Sequence, residues 1–168
     1  HGDAPRIVLA PASVEDCFYT TMEAVRLARE YSCPVILLTD QALSTRVEAW
    51  DMPDFAKICQ DISPKLETRG PNYKPYENTP DGIARHAPPG TPMADGKYPI
   101  VTGLEHDESG HPASRPANHV MMVAKRRRKL QVLASKLPKA EVYGPAEGSV
   151  LLVGWGSTQG PIKEAVDR

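Results

Sequence analysis

The sequence predicts an α/β protein with a parallel βαβ unit, a long irregular proline-rich arm, one long helix and the first βα unit of a second α/β domain. Three features support this fold class. Two short apolar runs flank a helical pattern near the N-terminus, 11 of the 17 prolines fall between residues 52 and 116, and a strand-like run leads into a glycine-rich turn near the C-terminus. Strand, helix and strand with short connections are typical of a right-handed unit with parallel strands.

The two strands are predicted from the apolar runs RIVLAP, residues 6–11, and VILLTD, residues 35–40. Between them, apolar residues recur at helical spacing. Ser13 stands where the helix N-cap should lie, and Asp16 follows three positions later in a variant of the capping box. Pro34 ends the helical pattern, because proline cannot continue a helix.

The carboxyl ends of these strands form the first candidate ligand site, since ligands of open α/β sheets gather there. Asp40 and Gln41 follow the second strand and are candidate pocket residues. Capping of the next turn is the more frequent role for an aspartate in this position, because polar loop residues are common and pockets are few.

Residues 52–116 are predicted to form an arm that lies across the surface of the protein or of a partner. The segment lacks apolar periodicity, and its prolines leave no room for a long helix. A structureless loop of this length is uncommon in a compact domain. The arm nevertheless carries apolar and aromatic anchors that distinguish it from low-complexity disorder. These anchors are Tyr73, Tyr76, Ile83, Met93, Tyr98 and Ile100.

The arm ends in TGLEHDESGHPAS, residues 102–114, which combines three carboxylates with two histidines. His106 and His111, together with a neighbouring carboxylate, are weak candidates for a zinc site. Their separation by five positions, beside Gly110 and Pro112, matches no established zinc motif. We therefore expect the glycines to form turns and the carboxylates to accept backbone hydrogen bonds or to pair with arginines.

A helix is predicted after the arm, with Ser114 as its cap, Pro116 in its first turn and Pro138 beyond its end. It carries the basic run KRRRK at residues 125–129. Such a run matches nucleic-acid-binding patterns, so a basic-helix interaction protein is one alternative function. A solvated or partner-facing helix is the favoured interpretation and no nucleic-acid partner is expected, because no aromatic or glycine-rich feature accompanies the run.

The C-terminal segment, residues 148–166, is predicted to form a strand, a glycine turn and a helix with Pro161 in its first turn. Gly154, Gly156 and Gly160 resemble the dinucleotide fingerprint, but the last spacing is one residue too long. A nucleotide-binding module that uses the Gly154–Gly160 turn therefore stays open as a second alternative. A strand-to-helix turn that needs small residues explains the glycines more simply.

Composition excludes several classes of protein. The net charge of −1 and pI near 6.6 give no field that would attract nucleic acid or an anionic membrane. No apolar run approaches the ~20 residues of a membrane helix, so no membrane partner is expected. The three cysteines have no disulfide or zinc spacing, which favours a reduced, cytoplasmic location. Because the chain begins at His1 close to a strand and ends at Arg168 within a predicted helix, we expect a segment of a longer polypeptide.

Five segments of the sequence resemble, in the same order and at sensible spacing, the alpha subunit of 2-oxoacid:ferredoxin oxidoreductases, the 2-oxoglutarate type in particular. The segments are HGDAPRIVLAPASVEDC, CPVILLTD, YPIVTGLEHDESGHPAS, MVAKRRRKL and VLLVGWGSTQGPIKEAV. The resemblance implies that residues 1–50 are the C-terminal part of a pyrimidine-binding domain, residues 51–148 an inter-domain arm and helix, and residues 149–168 the start of a transketolase-C-like domain.

The resemblance also implies an activity. Enzymes of this family join a 2-oxoacid to coenzyme A, release CO2 and pass two electrons to ferredoxin, using thiamine diphosphate, Mg2+ and an iron–sulfur cluster. The cluster cysteines and the diphosphate-binding residues belong to a beta subunit, and the catalytic residues of the alpha subunit precede His1. No catalytic residue is therefore carried over to this chain, which is expected to be inactive by itself. His1 and Asp3 are the pocket-proximal candidates, although a strand-entry turn is the favoured role for them.

Overall fold

The computed structural model describes residues 5–63, 68–93, 96 and 98–168, except for the side chain of Asp61. The candidate residues His1 and Asp3 lie outside the described residues. The elements follow the chain as β1 (Ile7–Leu9), α1 (Val14–Tyr31), β2 (Val35–Leu37), α2 (Gln41–Thr45), α3 (Phe55–Ile62), α4 (Pro116–Lys136), a 3₁₀ turn (Gly156–Thr158) and α5 (Gln159–Asp167).

The predicted βαβ unit is confirmed. Strands β1 and β2 pair in parallel, with Ile7 opposite Val35, and α1 connects them. Ser13 caps α1, since its hydroxyl accepts a hydrogen bond from the Asp16 N–H at 3.0 Å. The carboxylate of Asp16 accepts from the Ala12 N–H at 2.8 Å, so the reciprocal bond of the capping box reaches one residue further back than usual.

One hydrophobic core joins the βαβ unit to later parts of the chain. Its buried members are Ile7, Leu27, Tyr31, Cys33 and Leu133. Leu133 belongs to α4, and Ile83 of the arm packs against the same cluster. Each large apolar side chain buried in this way stabilises the fold by about 1.5–3 kcal/mol. The arm and α4 are therefore fastened to the βαβ unit through shared packing.

The arm begins with a helix that the sequence analysis did not predict. Helix α3 lies within the segment expected to be irregular, and Asp54 caps it by accepting from the Lys57 N–H at 3.0 Å. The ring of Phe55 meets Phe18 of α1 edge to face, with the ring centroids 6.2 Å apart. An eight-residue helix gives only two turns of apolar spacing, which the surrounding prolines concealed. Beyond α3, the described part of the arm consists of turns and isolated bridges, as predicted.

The start of α4 also differs in detail from the prediction. Pro116 opens the helix as expected, but the N-cap position is Arg115, which makes no side-chain capping bond. Ser114 is therefore not the cap. The fixed φ of proline sets the first turn, so the helix begins without a hydroxyl acceptor.

The basic run of α4 was predicted to be solvated or partner-facing, and the solvated alternative is wrong for Lys125. Lys125 is only 8% exposed, and its ammonium donates to the Tyr76 carbonyl at 2.7 Å. Lys129 donates to the Ser32 carbonyl at 3.0 Å, and Arg128 donates to the Thr79 carbonyl at 2.9 Å. The carbonyls of an irregular segment lack ladder partners and need other donors. Long cationic side chains on α4 supply them.

The predicted C-terminal strand is not formed. Residues 149–155 are assigned to no strand, and Val150 and Val153 are 78% and 85% exposed. The reason is that no neighbouring strand lies beside this segment in the described part of the chain, so no ladder forms. The helix that follows is confirmed as α5, with Pro161 in its first turn. No helix of the described residues has the length and apolar character needed to cross a membrane.

Candidate functional site

Asp40 connects the carboxyl end of the sheet to the C-terminal glycine turn. One carboxylate oxygen caps α2 by accepting from the Leu43 N–H at 3.0 Å. The other accepts from the Ser157 N–H at 3.0 Å, across 117 residues of sequence. We call Asp40, Gly156 and Ser157, together with the Pro11 carbonyl beside them, the sheet-end junction. The junction forms where the sequence placed a candidate ligand site, but Asp40 uses both oxygens to bind backbone.

Gly156 is required at this junction. Its φ is +64°, and a Cβ atom there would lie 2.9 Å from the Asp40 carboxylate and 3.8 Å from the Pro11 carbonyl. A Cβ at Gly154 would lie 2.3 Å from Ile162, whereas one at Gly160 would meet nothing within 4 Å. Gly154 and Gly156 thus serve close packing of the turn, which agrees with the simpler of the two interpretations of this glycine pattern.

The carboxyl group of Asp40 is held in its ionised form. Hydrogen bonds from Ser157, and then from the backbone of Leu43, lower the pKa of Asp40 below its usual value. A carboxylate with a lowered pKa is a poor general base near neutral pH. The chemistry of Asp40 is therefore that of a fixed acceptor and not of a proton-transfer group.

An open cleft of about 770 Å3 lies beside the sheet-end junction. Asp40 lines it, but Gln41 does not, and Gln41 is exposed at the start of α2. The structure thus separates these two candidates. The described residues of its lining are otherwise largely apolar and include no lysine or arginine. Its members are Asp40, Ala42, Leu152, Val153, Gly154, Trp155, Ser157, Thr158, Pro161, Ile162 and Ala165.

Glu48 makes a contact at the start of α1 that the sequence analysis missed. Its carboxylate accepts from the Val14 N–H at 2.8 Å and from the Glu15 N–H at 3.3 Å. These amides form the N-terminus of α1, which follows β1 and would otherwise be a ready anion-binding site. No local signal marks a lone glutamate 34 residues away as a helix partner. A carboxylate of the protein itself already fills this position.

Neither the N-terminus of α1 nor the cleft at the sheet-end junction fits a diphosphate group, and the described residues do not fit an iron–sulfur cluster. The α1 N-terminus is occupied by Glu48, and the cleft at the sheet-end junction offers a carboxylate and no cation. A diphosphate needs cations or free amides. A cluster needs about four thiolates, and the whole chain has three cysteines, of which Cys33 is buried.

The carboxylates of residues 102–114 each bind a different partner. Glu105 accepts from His119 at 3.1 Å and from Arg126 at 3.4 Å, and Glu108 accepts from the Asn78 N–H at 2.8 Å. Burial acts to raise the pKa of Glu105, but the hydrogen bonds from His119 and Arg126 outweigh it and lower the pKa overall.

Asp107 closes the turn of this segment. Its carboxylate accepts from the Ser109 N–H at 2.9 Å and from the His111 N–H at 3.1 Å. Gly110 completes the turn with a φ of +91°, and a Cβ there would lie 2.2 Å from the Ile100 carbonyl. The predicted role of this segment in turns, backbone hydrogen bonds and arginine pairing is what the geometry shows.

The two histidine candidates do not converge. The His106 ring stacks on Tyr76 with 3.6 Å between the centroids, and its Nδ1 lies 3.0 Å from the Asp107 carbonyl. Nδ1 of His111 lies 3.9 Å from the Asp107 carboxylate. Within the described ranges, no three His, Cys, Asp or Glu side chains form a group that could hold a metal ion.

Comparison with known proteins places this geometry in a family. Residues 2–125 match the family model described as pyruvate flavodoxin/ferredoxin oxidoreductase, thiamine diphosphate-binding. The chain is 39% identical over 171 residues to the 2-oxoglutarate oxidoreductase subunit KorA of Mycobacterium tuberculosis, which covers 100% of this chain and 25% of that protein. It is 36% identical to the alpha subunit of 2-oxoacid:ferredoxin oxidoreductase 2 of Aeropyrum pernix, over 99% of this chain and 26% of that protein.

A solved structure shows the same likeness. The 2-oxoglutarate:ferredoxin oxidoreductase from Magnetococcus marinus, solved with 2-oxoglutarate, coenzyme A and succinyl-CoA bound, matches with a TM-score of 0.70 and 35% identity. The match covers 99% of this chain and 29% of that one. The chain therefore spans about a quarter of the length of the relatives it matches. It belongs to the thiamine-diphosphate-binding family of pyruvate flavodoxin/ferredoxin oxidoreductases.

Proposed function

We propose that this chain is part of the alpha subunit of a thiamine-diphosphate-dependent 2-oxoacid:ferredoxin oxidoreductase, and that the 2-oxoacid is 2-oxoglutarate. The whole enzyme would oxidatively decarboxylate the acid to an acyl-CoA and pass the electrons to ferredoxin. One observation carries the proposal. An enzyme with this activity in its name shares the fold of 99% of the chain at a TM-score of 0.70 and 35% identity.

The role of this segment in that enzyme is to frame the active site and not to perform the chemistry. In support, both carboxylate oxygens of Asp40 accept backbone hydrogen bonds, and the Glu48 carboxylate accepts one at the N-terminus of α1. The described residues also lack a cluster of metal ligands. The groups that bind diphosphate, Mg2+ and an iron–sulfur cluster are assigned to the beta subunit and to other parts of the alpha subunit.

The division of the chain into parts follows from the same proposal. Residues 1–50 form the end of a pyrimidine-binding domain, residues 51–148 the inter-domain arm and helix, and residues 149–168 the start of a transketolase-C-like domain. The exposed apolar run at residues 150–153 supports the last assignment, because an apolar strand without a partner needs a sheet to join. Under this proposal the sheet-end junction fixes the third part against the first. His1 and Asp3 are the residues expected nearest the substrate.

The proposal is tested with the full-length alpha subunit produced together with its beta subunit. We expect 2-oxoglutarate and coenzyme A to be required for reduction of ferredoxin, with pyruvate a much poorer substrate. The matched control is the 168-residue chain with the same beta subunit, which we expect to be inactive. Absence of turnover with any 2-oxoacid, or turnover by the 168-residue chain alone, would contradict the proposal.

A further inference from the structure

A second cavity lies between the arm and α4. It has a volume of about 340 Å3 and is more enclosed than the cleft at the sheet-end junction, with which it shares no lining residue. Tyr73 and Tyr76 of the arm and Met122 of α4 supply aromatic and apolar wall. We call this space the basic cavity, because Lys125, Arg126 and Lys129 line its α4 side.

The charges that line the basic cavity are of one sign. Among the described residues, three cationic side chains line it and no aspartate or glutamate does. Glu105 and Glu108 are not among these lining residues. Glu105 binds His119 and pairs with Arg126 at 3.4 Å, and Glu108 binds Lys74 at 3.5 Å. Lys125 and Lys129, by contrast, have no carboxylate partner among the described lining residues.

The two lysines have spare hydrogen-bonding capacity. In the described part of the chain, the ammonium of Lys125 donates to the Tyr76 carbonyl at 2.7 Å, and that of Lys129 donates to the Ser32 carbonyl at 3.0 Å. An ammonium has three donors, and a carbonyl carries no net charge to offset it. Burial, followed by the neighbouring charge of Lys129, lowers the pKa of Lys125 to about 8. The cost of these charges would fall if an anion entered the cavity.

The cavity has the size of a small-molecule site. Its volume is at the low end of the range of about 300–1,000 Å3 that such sites occupy. We propose that the basic cavity binds a small molecule that carries a phosphate or carboxylate on an apolar or aromatic body, held by Lys125, Arg126 and Lys129. The oxyanion faces the cations of α4, and the body lies against Tyr73, Tyr76 and Met122. A metal ion is disfavoured by the charge, and a nucleic acid strand is disfavoured by the small, enclosed volume.

The proposal is tested by chemical labelling of the whole enzyme with pyridoxal 5′-phosphate. This probe joins a phosphate to an aromatic aldehyde that condenses with a neutral lysine amine, with loss of water. Borohydride then reduces the imine to a stable amine, and peptide mass spectrometry locates the label. We expect label on Lys125 or Lys129 ahead of the exposed Lys57 and Lys139, and we expect inorganic phosphate to protect. Label confined to exposed lysines, without protection by phosphate, overturns the proposal.

Three variants locate the binding of inorganic phosphate in a calorimetric titration. Lys129→Met removes a cation of the cavity, and Ala84→Leu fills the cavity without changing any charge. Arg127→Gln is the matched control, since it removes a charge from the same run at an exposed position that does not line the cavity. We expect each of the first two to weaken phosphate binding about tenfold or more, Lys129→Met through loss of a charge-assisted contact and Ala84→Leu through loss of space, and the third to leave it unchanged.

Several outcomes decide the matter. Equal phosphate affinity in wild type, Lys129→Met and Ala84→Leu overturns the proposal, and so does an equal loss in Arg127→Gln. If Lys129→Met fails to assemble, Ala84→Leu decides alone. Because labelling and titration do not measure turnover, failure of this proposal is distinguishable from failure of the proposed oxidoreductase activity.

Discussion

The βαβ unit and the arm are held in place in different ways. In the βαβ unit, strand pairing and the hydrogen bonds of α1 satisfy most backbone groups locally. In the arm, carbonyl groups are satisfied by side chains of α4 that lie about 50 residues away, such as Lys125 on Tyr76 and Arg128 on Thr79. Side-chain donors from elsewhere in the chain can therefore satisfy carbonyls of an irregular segment that forms no ladder.

The two regions also share a core, and breaking that core should have the largest effect. Leu133 of α4 is 5% exposed and packs with Ile7, Leu27 and Tyr31. Leu133→Ala should destabilise the subunit by about 2–5 kcal/mol, because it leaves a cavity. Hydrogen exchange of the full-length subunit should show faster exchange in both α1 and the arm. An effect confined to α4 would contradict the shared core.

Disrupting the close approach of the arm to α4 at Gly82 should have the next largest effect. Gly82 has a φ of +76°, and a Cβ there would lie 2.6 Å from the backbone carbonyl oxygen of Lys125 and 2.9 Å from the backbone nitrogen of Lys129. Gly82→Ala should cost about 2–4 kcal/mol, from backbone strain together with the clash, and should release the arm to protease.

Gly90→Ala is the matched control for this prediction. Gly90 has a similar φ of +85° but nothing within 4 Å of its Cβ position. Gly90→Ala should lower the free energy of unfolding by only about 1 kcal/mol, from backbone strain alone. Equal protease sensitivity in the two variants would show that contact with the α4 backbone does not hold the arm.

The stability of the arm should depend on alkaline pH in a way that the stability of the βαβ unit does not. The pKa of Lys125 is lowered from 10.5 to about 8 by burial and by neighbouring cations. The unfolded chain therefore binds more protons than the folded chain between about pH 8 and 10.5, and stability rises with pH across that window. After allowance for solvent screening, the gain is about 1–2 kcal/mol.

Lys125→Met should lose most of this rise, although Lys129, whose pKa is also lowered by burial, retains part of it. Hydrogen exchange at pH 8 and pH 10, corrected for intrinsic rates, measures the protection of arm peptides. If the arm of the wild type gains no more protection between pH 8 and pH 10 than the arm of Lys125→Met, the buried ammonium of Lys125 does not destabilise the arm.

The smallest effect is expected at the sheet-end junction. Asp40→Ala removes the cap of α2 and the acceptor for Ser157 and should destabilise the subunit less than any of the changes above. Because the pKa of Asp40 is lowered, its contribution is present above its unfolded pKa near 3.8 and is lost as the pH falls through the folded value. Exchange of peptides from α5 should increase, while that of α1 should not. Unchanged α5 peptides would show that the junction does not hold the C-terminal segment.

Periodicity and capping rules explain which parts of the fold were predictable. They predicted β1, α1 and β2, because each element expresses its own local pattern. They missed α3 because two turns are too short to show a period. They also misjudged the basic run, since the partners of Lys125 and Lys129 lie far away in sequence.

The candidate site was predictable only in position. The rule for parallel sheets located Asp40, but its second partner, the Ser157 N–H, comes from a turn 117 residues away. No sequence pattern marked Glu48 as the residue that binds the N-terminus of α1, because any loop carboxylate could have taken that place. Residues 150–153 read as a strand, and they remain unpaired because strand formation needs a neighbour that this part of the chain does not provide.

Under the proposed function, this chain frames an active site and takes no part in its chemistry. Turnover by the assembled enzyme carrying Gly82→Ala tests this most directly, with kcat referred to the concentration of intact assembly. We predict a lower yield of assembled enzyme and a kcat within about twofold of wild type, because the substitution breaks packing and removes no reacting group. A large fall in kcat while assembly stays intact would contradict the account.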